Sequence, residues 1–254
     1  MKVTIVTVVR NQCAEIEDCV KSVLSQTHKD VEYIVIDGAS TDGTLEILLR
    51  YQDRITKIVS EADAGLYDAM NKGLRLATGD IVGILNSDDF YEGPQVLERV
   101  VAAFRKCDAE ALFADLVYVR PGNLERVVRF YSGRDYSPDK VARGWIPPHP
   151  TFFVRRELYE RYGLFHADYR IAADFELMAR FLVRHKVKHI YLPEVLVRMR
   201  TGGISTRELR STWILNLEIL RACAENGIPT SLLKVYSKYL RKGMQLFERP
   251  ARVN

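Results

Sequence analysis

The alternation of strand-like and helix-like segments in the first part of the chain is the strongest constraint on the fold. Four short apolar runs that are typical of buried strands alternate with segments whose apolar residues recur at helical spacing. The runs occupy residues 3–9, 31–36, 55–59 and 81–85. This pattern predicts an α/β fold with a doubly wound, mainly parallel sheet and helices on both faces.

Acidic residues follow these strands, where ligands bind in open α/β sheets. Asp37 follows the second run, and the fourth run ends at the adjacent carboxylates Asp88 and Asp89. Two like charges repel each other unless a cation or hydrogen-bond donors compensate them. Hard carboxylate oxygens suit Mg²⁺ or Mn²⁺ shared with substrate phosphates. The alternative interpretation of the pair is an Asp-rich turn that caps the next helix.

Composition excludes several classes of protein. With 47% hydrophobic and 28% charged residues, the chain of 254 residues is typical of a globular protein with a sizeable core. A net charge of +4 without a long basic run predicts no nucleic-acid partner. Four cysteines without CxxC spacing predict reduced thiols in a cytoplasmic protein. No G-x-G-x-x-G follows the first strand, so the dinucleotide fingerprint is absent.

The second half has a different pattern. Residues 111–120 and 126–131 predict a hairpin, and a proline-rich stretch at 145–151 precedes a strand and a helix. A further helix opens with Asp174 and Glu176 in its first turn. Strand-like runs at 189–192 and 195–200, a Gly202-Gly203 loop and two helices at about 206–224 and 231–247 complete the chain.

Six segments carry a resemblance to a known family: IVTVVRN (5–11), DGASTDGT (37–44), SEADAGLYDAMNKG (60–73), the stretch from ATGD to SDD (77–89), HPTFF (149–153) and AADFEL (172–177). Together they resemble family 2 glycosyltransferases of the GT-A fold, a large group that builds bacterial polysaccharides. The resemblance implies a small second sheet in the acceptor region. It also implies a GT-A domain at 1–205, with a nucleotide-binding half at 1–106 and an acceptor-binding half at 107–205. Residues 206–254 are predicted to form a C-terminal helical appendage.

The resemblance also implies roles for individual residues. Asp37 would accept a hydrogen bond from the nucleotide base, Asp174 would be the catalytic base, and Asp89 would ligate the metal. Asp88 would hold donor hydroxyls and share the metal. The other residues expected at the donor are Thr7, Val9, Asn11, Asp63 and Asn71. His149 and Glu176 are expected at the acceptor, although a loop hydrogen bond and a structural role remain open for them.

The implied reaction is an inverting transfer of a sugar from a nucleotide sugar, expected to be a UDP-sugar, to a saccharide hydroxyl. A divalent cation, Mn²⁺ or Mg²⁺, would meet the developing diphosphate charge. The expected acceptor is lipid-linked, for example through polyprenyl diphosphate. The chain departs from many relatives in two ways. Asn86 replaces a third carboxylate, and the region 197–205 lacks a metal-binding His, so Arg198 or Arg200 is expected to neutralise the diphosphate.

The basic amphipathic stretch at 231–249 has two interpretations. It predicts either peripheral contact with the inner face of an anionic membrane or docking on the domain or on a second subunit in a homodimer. Two other functions compete with the transferase: a sugar nucleotidyltransferase and a non-catalytic nucleotide-sugar-binding protein. The sequence Arg10-Asn11-Gln12 lacks the phosphate loop that the first requires, and the presence of Asp37, Asp89 and Asp174 argues against the second. The transferase hypothesis requires Asp89 and Asp174 to face one cleft.

Overall fold

The computed structural model describes residues 1–202 and 209–237. Along the chain the elements are β1 (Val3–Val9), α1 (Ile16–Leu24), β2 (Val31–Asp37), α2 (Thr44–Leu49), β3 (Lys57–Ser60), α3 (Leu66–Leu76), β4 (Ile81–Ile84), β5 (Asp89–Tyr91), α4 (Val96–Lys106), β6 (Ala111–Arg120), β7 (Asn123–Tyr131), α5 (Pro138–Val141), β8 (Phe153–Arg155), α6 (Glu157–Tyr162), α7 (Ala173–Ala179), β9 (His189–Arg200), α8 (Leu209–Glu225) and α9 (Leu232–Tyr236). A π-helical turn, Arg180–Arg184, extends α7.

All of these strands belong to one sheet, in the order β3-β2-β1-β4-β8-β6-β9-β5, with β7 paired to β6. The first four strands of this order are parallel, which confirms the predicted strand–helix alternation. Beyond β4 the pairing is mixed: β8 is antiparallel to β4 and to β6, whereas β6 and β9 are parallel. The strands of the acceptor region therefore continue the central sheet rather than form a separate one.

Two hydrophobic clusters cover the two faces of the sheet. Alternate residues of β1 point to opposite faces, so Val6 and Val8 join the cluster under α3, α7 and α8. Ile5 and Val9 join the other cluster, under α1, α2 and α4. Every residue of β1 is buried, as expected for a central parallel strand covered on both sides.

A polar network ties the amino ends of the parallel strands together around Glu32. Its carboxylate accepts hydrogen bonds from Thr4 Oγ1 at 2.6 Å and from Lys2 Nζ at 2.8 Å. The backbone N–H and the hydroxyl of Thr78 donate to it at 2.7 and 2.6 Å. Glu32 is only 6% exposed, and these donors lower its pKa to about 2 although burial opposes the shift. This carboxylate is therefore fully compensated within the fold.

Strands and side chains interlock the two predicted halves. β5 lies in the first half of the sequence, yet it pairs with β9 at the far end of the sheet. Asn71 of α3 binds both backbone groups of Phe165: its Oδ1 accepts from the N–H at 2.9 Å and its Nδ2 donates to the carbonyl at 2.8 Å. Because both amide groups of Asn71 are used in this way, the structure gives it a structural role in place of the predicted nucleotide contact.

The C-terminal helices pack on the α7 side of the sheet. Ile219 and Ala222 of α8 and Val235 of α9 belong to its hydrophobic cluster. Within the described residues, no helix combines the length and apolar character needed to cross a membrane. Gly203 and most of the basic stretch predicted at 231–249 lie outside the described residues.

Candidate active site

The turn after β2 is organised by Asp37, which is completely buried. Its carboxylate accepts a hydrogen bond from the hydroxyl of Ser60 at 2.6 Å. The backbone N–H of Ser40 donates to both carboxylate oxygens, at distances of 3.3 Å to Oδ1 and 3.2 Å to Oδ2. The turns after β2 and β3 are thereby joined at the carboxyl edge of the sheet. The predicted contact between Asp37 and the nucleotide base stays a prediction.

Asn11 joins the turn after β1 to this assembly. It adopts a positive φ of 53°, a conformation that asparagine tolerates better than most residues. Its backbone N–H donates to Ser40 Oγ at 2.8 Å, and its Oδ1 accepts the N–H of Thr41 at 2.8 Å. The Asn11 side chain is exposed, so it lies at the surface of the turn where a nucleotide is predicted.

Gly38 permits the close approach of Asp63 to the same turn. A Cβ at position 38 would lie 2.5 Å from Asp63 Oδ2, which is too close for any side chain without a shift of the carboxylate. Asp63 Oδ1 also accepts the N–H of Gly65 at 3.0 Å. The structure thus brings Asn11, Asp37 and Asp63 together at one edge of the sheet, as the sequence predicted.

Thr7 and Val9 lie below this edge. Thr7 is completely buried, and its hydroxyl accepts a hydrogen bond from Tyr33 at 3.2 Å. Val9 is 5% exposed and packs in the core on the α1 face, while its carbonyl accepts the N–H of Gly38 at 2.8 Å. Their side chains are used in the core and do not reach the surface of the cleft.

The acidic turn after β4 contains a buried carboxylate that the protein compensates only in part. Asp89 is completely buried, its Oδ1 makes no hydrogen bond within the described residues, and its Oδ2 receives only a long bond of 3.4 Å from Asn86 Nδ2. Burial and the charge of Asp88 both raise its pKa well above the usual range. The half-buried Asp88 also has a raised pKa because of burial. Adjacent uncompensated carboxylates of this kind fit a divalent cation, which supplies the missing charge.

Both arginines predicted to neutralise the diphosphate are already engaged. Arg200 is 8% exposed, donates to the carbonyl of Asp88 at 2.6 Å and pairs with Asp18. Its charge lowers the pKa of both carboxylates of the acidic turn, so Arg200 stabilises that turn. Arg198 forms two hydrogen bonds with Glu92, at 2.5 and 3.0 Å. The structure therefore gives Arg198 an ion pair at the β5–β9 edge in place of the predicted phosphate contact.

Asp174 lies in the first turn of α7 and is half-buried. Burial raises its pKa, and the nearby charge of His149 opposes the shift. Burial lowers the pKa of His149, while Asp174 raises it. The His149 ring packs edge-on against Phe165 with 5.8 Å between the ring centroids. His149 is therefore the predicted acceptor residue that the structure brings to Asp174.

Glu176 is 1% exposed and belongs to the interior. Its Oε2 accepts from Arg180 Nη2 at 2.9 Å, and its Oε1 accepts from Asn226 Nδ2 at 3.2 Å. Because both oxygens are engaged inside the fold, the predicted acceptor contact of Glu176 is replaced by a structural role. Its spacing of four residues from Arg180 is a sequence signal that could have indicated this role.

Tyr118 of β6 connects the two halves of the site. Asp89 pairs with Met199 across β5 and β9, and Met199 pairs with Tyr118 across β9 and β6. The three residues therefore form one row, with about 4.8 Å between neighbouring strands. Burial raises the pKa of Tyr118, and the charges of Asp89 and Asp174 raise it further. The charges of both carboxylates thus reach the same phenol, and the predicted cleft between them stays a prediction.

Sequence reasoning missed Tyr118 and the cation beside it. The guanidinium of Arg129, on β7, lies 4.8 Å from the centroid of the Tyr118 ring. The motif HPTFF and the acidic turn are local patterns, whereas Tyr118 belongs to the site only through strand pairing between distant segments. No local signal in the sequence marks it.

Comparison with known proteins decides the family. The model of glycosyl transferase family 2 matches residues 4–167, which include the acidic turn and His149. The chain belongs to this family. Membership identifies a glycosyltransferase and disfavours the nucleotidyltransferase alternative.

Two relatives of similar sequence agree with this membership. The PGL/p-HBAD biosynthesis glycosyltransferase of Mycobacterium tuberculosis is 32% identical over 200 residues, covering 77% of this chain and 75% of the relative. An uncharacterised glycosyltransferase of Nostoc is 28% identical over 186 residues, covering 68% of this chain and 57% of the relative.

Two solved structures share the fold. Staphylococcus aureus TarS 1–349, in complex with UDP-GlcNAc, has a TM-score of 0.66 at 18% identity, covering 87% of this chain and 67% of that structure. The mannosyltransferase PcManGT from Pyrobaculum calidifontis, in complex with GDP-Man and Mn²⁺, has a TM-score of 0.62 at 21% identity, covering 97% of this chain and 81% of that structure. These likenesses support the predicted GT-A fold of the glycosyltransferase.

Proposed function

We propose that the protein is a metal-dependent, inverting glycosyltransferase that moves a sugar from a UDP-sugar to a hydroxyl of a saccharide acceptor. One observation carries the proposal: Asp89, a buried carboxylate with one oxygen that has no hydrogen bond in the described residues, lies in one row with Tyr118 across β5, β9 and β6, and the charge of Asp174 reaches the same phenol. A sugar bound between them would present its two faces to different carboxylates.

The donor would occupy the edge formed by the turns after β1, β2 and β3. Asn11, Asp37 and Asp63 meet there, and the acidic turn lies at the end of β4, which pairs directly with β1. TarS bound to UDP-GlcNAc and PcManGT bound to GDP-Man and Mn²⁺ support a nucleotide-sugar donor and a divalent cation. The choice of UDP as the nucleotide belongs to the proposal.

Asp89 would hold the cation, with Asp88 beside it. When bound, the cation would neutralise the charge that develops on the diphosphate leaving group. The buried Asp89 and the half-buried Asp88 would supply hard oxygen ligands, and Arg200 keeps the turn in place through the Asp88 carbonyl. Arg198 and Arg200 are held in ion pairs with Glu92 and Asp18, so the cation would carry much of this neutralisation.

Asp174 would act as the general base. The acceptor hydroxyl must lose its proton as it attacks the anomeric carbon, and the carboxylate accepts that proton. Burial raises the pKa of Asp174, which brings its basicity closer to neutral pH, where proton transfer is most efficient. Attack from the face opposite the diphosphate inverts the anomeric configuration in one displacement.

The acceptor would bind near His149, and we propose a lipid-linked saccharide. The mycobacterial relative is a glycosyltransferase named for PGL/p-HBAD biosynthesis. Leu233 is 86% exposed and Tyr236 40% exposed on α9, which supports peripheral contact of the C-terminal region with the inner face of the cytoplasmic membrane. Docking of this face on a second subunit is the competing explanation.

A donor-hydrolysis and transfer assay tests the proposal. Nucleotide sugars are first screened by thermal shift with Mn²⁺ or Mg²⁺, since a ligand that binds the native state raises its melting temperature. With the donor found, Asp174→Asn should retain donor affinity while transfer falls by at least about 100-fold, the contribution typical of a general base. Near-normal transfer by Asp174→Asn would remove Asp174 from the mechanism. Binding of a nucleotide sugar without any turnover by the wild type would favour a non-catalytic binding protein.

A further inference from the structure

The helix that carries Asp174 begins without a local cap. Its N-cap position is occupied by Ala172, whose methyl group accepts no hydrogen bond, and the cap has no side-chain hydrogen bond. The first N–H groups of a helix lack partners within the helix and must be satisfied by other groups. The partners of this segment therefore decide how firmly Asp174 is held.

Inside the first turn of α7 the N–H of Phe175 donates to Asp174 Oδ1 at 2.7 Å, whereas Glu218 of α8 holds the three residues that lead into the helix. Its carboxylate accepts the backbone N–H of Arg170 at 2.7 Å, of Ile171 at 2.9 Å and of Ala172 at 2.9 Å. Hydrogen bonds to an ionised acceptor are stronger than those between neutral groups. A single side chain, distant in sequence, thus fixes three consecutive backbone groups next to Asp174.

Tyr67 of α3 holds the same segment from the other side. Its hydroxyl donates to the carbonyl of Ile171 at 2.5 Å, and its ring stacks on Phe165 with 5.6 Å between centroids. The segment 170–172 therefore lies between side chains from α3 and α8. Both helices belong to the same hydrophobic cluster as α7, so this framework rests on packed elements.

The charge of Glu218 also reaches the base. Asp174 is influenced by burial, by His149 and by Glu218, and the negative charge of Glu218 raises the pKa of Asp174. Tyr67 and Tyr118 face the same carboxylate as neutral phenols, because burial raises the pKa of both. Burial is the main cause of the raised pKa of Asp174, and the charge of Glu218 adds a small contribution in the same direction.

We propose that Glu218 is the positioning residue for Asp174, so that α8 forms part of the active site rather than an appendage to it. The inference rests on the proposed function, in which Asp174 is the base. Among the described residues, Glu218 forms hydrogen bonds with 170–172 and none with the turns at Asn11 and Asp37 or with the acidic turn. Its loss should therefore reduce kcat while the affinity for UDP stays unchanged.

The test compares Glu218→Gln with Glu225→Gln on the same helix. A glutamine at position 218 presents an amide NH₂ to the backbone N–H groups and carries no charge. Glu225 is the matched control, because it accepts hydrogen bonds from the Tyr169 hydroxyl at 2.6 Å and from Arg221 Nε at 2.7 Å and is not among the main influences on the pKa of Asp174. Three quantities are measured: the pH profile of kcat, the UDP dissociation constant with Mn²⁺, and hydrogen exchange of the amides at 170–172.

For Glu218→Gln we expect kcat to fall roughly 10- to 100-fold, the effect of a modest misplacement of a reacting group. The acid limb of the profile should move to lower pH, since removal of the anion lowers the pKa of Asp174. The amides at 170–172 should exchange faster, whereas Glu225→Gln should show none of these changes.

An unchanged acid limb and unchanged exchange in Glu218→Gln would overturn the inference. Equal losses in both variants would overturn it as well, because they would reflect general loosening of α8. Hydrogen exchange needs no turnover, so it tests the positioning independently of the reaction. An absence of nucleotide-sugar turnover by the wild type would instead count against the proposed function.

Discussion

Glu32 and Asp89 are buried carboxylates at opposite ends of the parallel strands, and their surroundings differ completely. Glu32, near the amino ends, receives four hydrogen bonds from Lys2, Thr4 and Thr78, and its pKa falls to about 2. Asp89, beyond the carboxyl end of β4, has one oxygen without a partner in the described chain, and its pKa is raised.

The difference separates stability from function. A carboxylate that the fold compensates stabilises the native state, whereas an uncompensated one costs stability and persists where a ligand supplies the missing partner. Both ends of the sheet are polar, but only the carboxyl end is incomplete without a ligand. Amide substitutions at the two positions should therefore have opposite consequences.

Asp89→Asn is expected to have the largest effect. Loss of the cation should reduce transfer by about 1,000-fold or more, since a bound metal contributes several kcal/mol to stabilising the leaving group. In the absence of metal, Asp89→Asn should be at least as stable as the metal-free wild type, because the substitution removes a buried charge that the fold compensates only in part. Mn²⁺ at 100 times its dissociation constant should stabilise the wild type by about 2.7 kcal/mol. It should not stabilise the variant, and an equal Mn²⁺ shift in both proteins would place the cation elsewhere.

Glu32→Gln should lose stability and keep activity. The amide cannot reproduce the charge-assisted bonds, and its NH₂ group faces the donors of Thr78. We expect a loss of about 2–3 kcal/mol in the free energy of unfolding, the cost of leaving buried polar groups unsatisfied. Urea unfolding measures it, and kcat per folded molecule should match the wild type. A fall in kcat would show that the amino end of the sheet influences the site.

The stability contributed by Glu32 should depend on pH with a defined sign. Its pKa in the folded state, about 2, lies below the value of roughly 4.3 expected in the unfolded chain. Its contribution is therefore present above the unfolded value and is lost as the pH falls toward 2. The difference in unfolding free energy between wild type and Glu32→Gln should be largest above pH 5 and shrink at pH 3. A constant difference would assign the loss to packing.

Arg198→Gln should have the smallest effect. Its partly exposed pair with Glu92 is worth less than about 1 kcal/mol, as for most surface ion pairs. UDP affinity should change less than about twofold, in the range of surface substitutions. Arg200→Gln is the comparison, because Arg200 is buried and donates to the Asp88 carbonyl beside Asp89. A larger loss of UDP affinity in Arg198→Gln than in Arg200→Gln would restore Arg198 as a phosphate ligand.

The sequence predicted the parallel strands and the acidic turn because both are local patterns. The apolar run at 81–85 indicates a buried strand, and the adjacent Asp88 and Asp89 mark the acidic turn that follows it. β5 was missed, since three residues form a strand only by pairing with β9, more than a hundred positions later. β9 was predicted as two strands because Pro193 interrupts the pattern, yet irregular pairing with β6 accommodates the interruption.

Side-chain roles were harder to predict than elements. Residue type and motif singled out Asp89, Asp174 and His149, whose roles stay predictions, but they did not reveal which groups were already engaged. Asn71, Glu176 and Arg198 were assigned to ligands although the fold uses them internally. Glu218 was not singled out at all, because its three hydrogen bonds reach residues nearly fifty positions earlier.

The two hydrogen bonds between Asn71 and the backbone of Phe165 have a consequence for the design of chimeric enzymes. Chimeras that exchange segments between relatives to alter acceptor choice would cut through this contact if the junction fell near residue 106. Asn71 comes from the donor side of such a junction and Phe165 from the other. A transplanted acceptor region would therefore need a recipient with asparagine at the matching site on α3. Without it, the segment around Phe165 that leads to α7 would lack both hydrogen bonds.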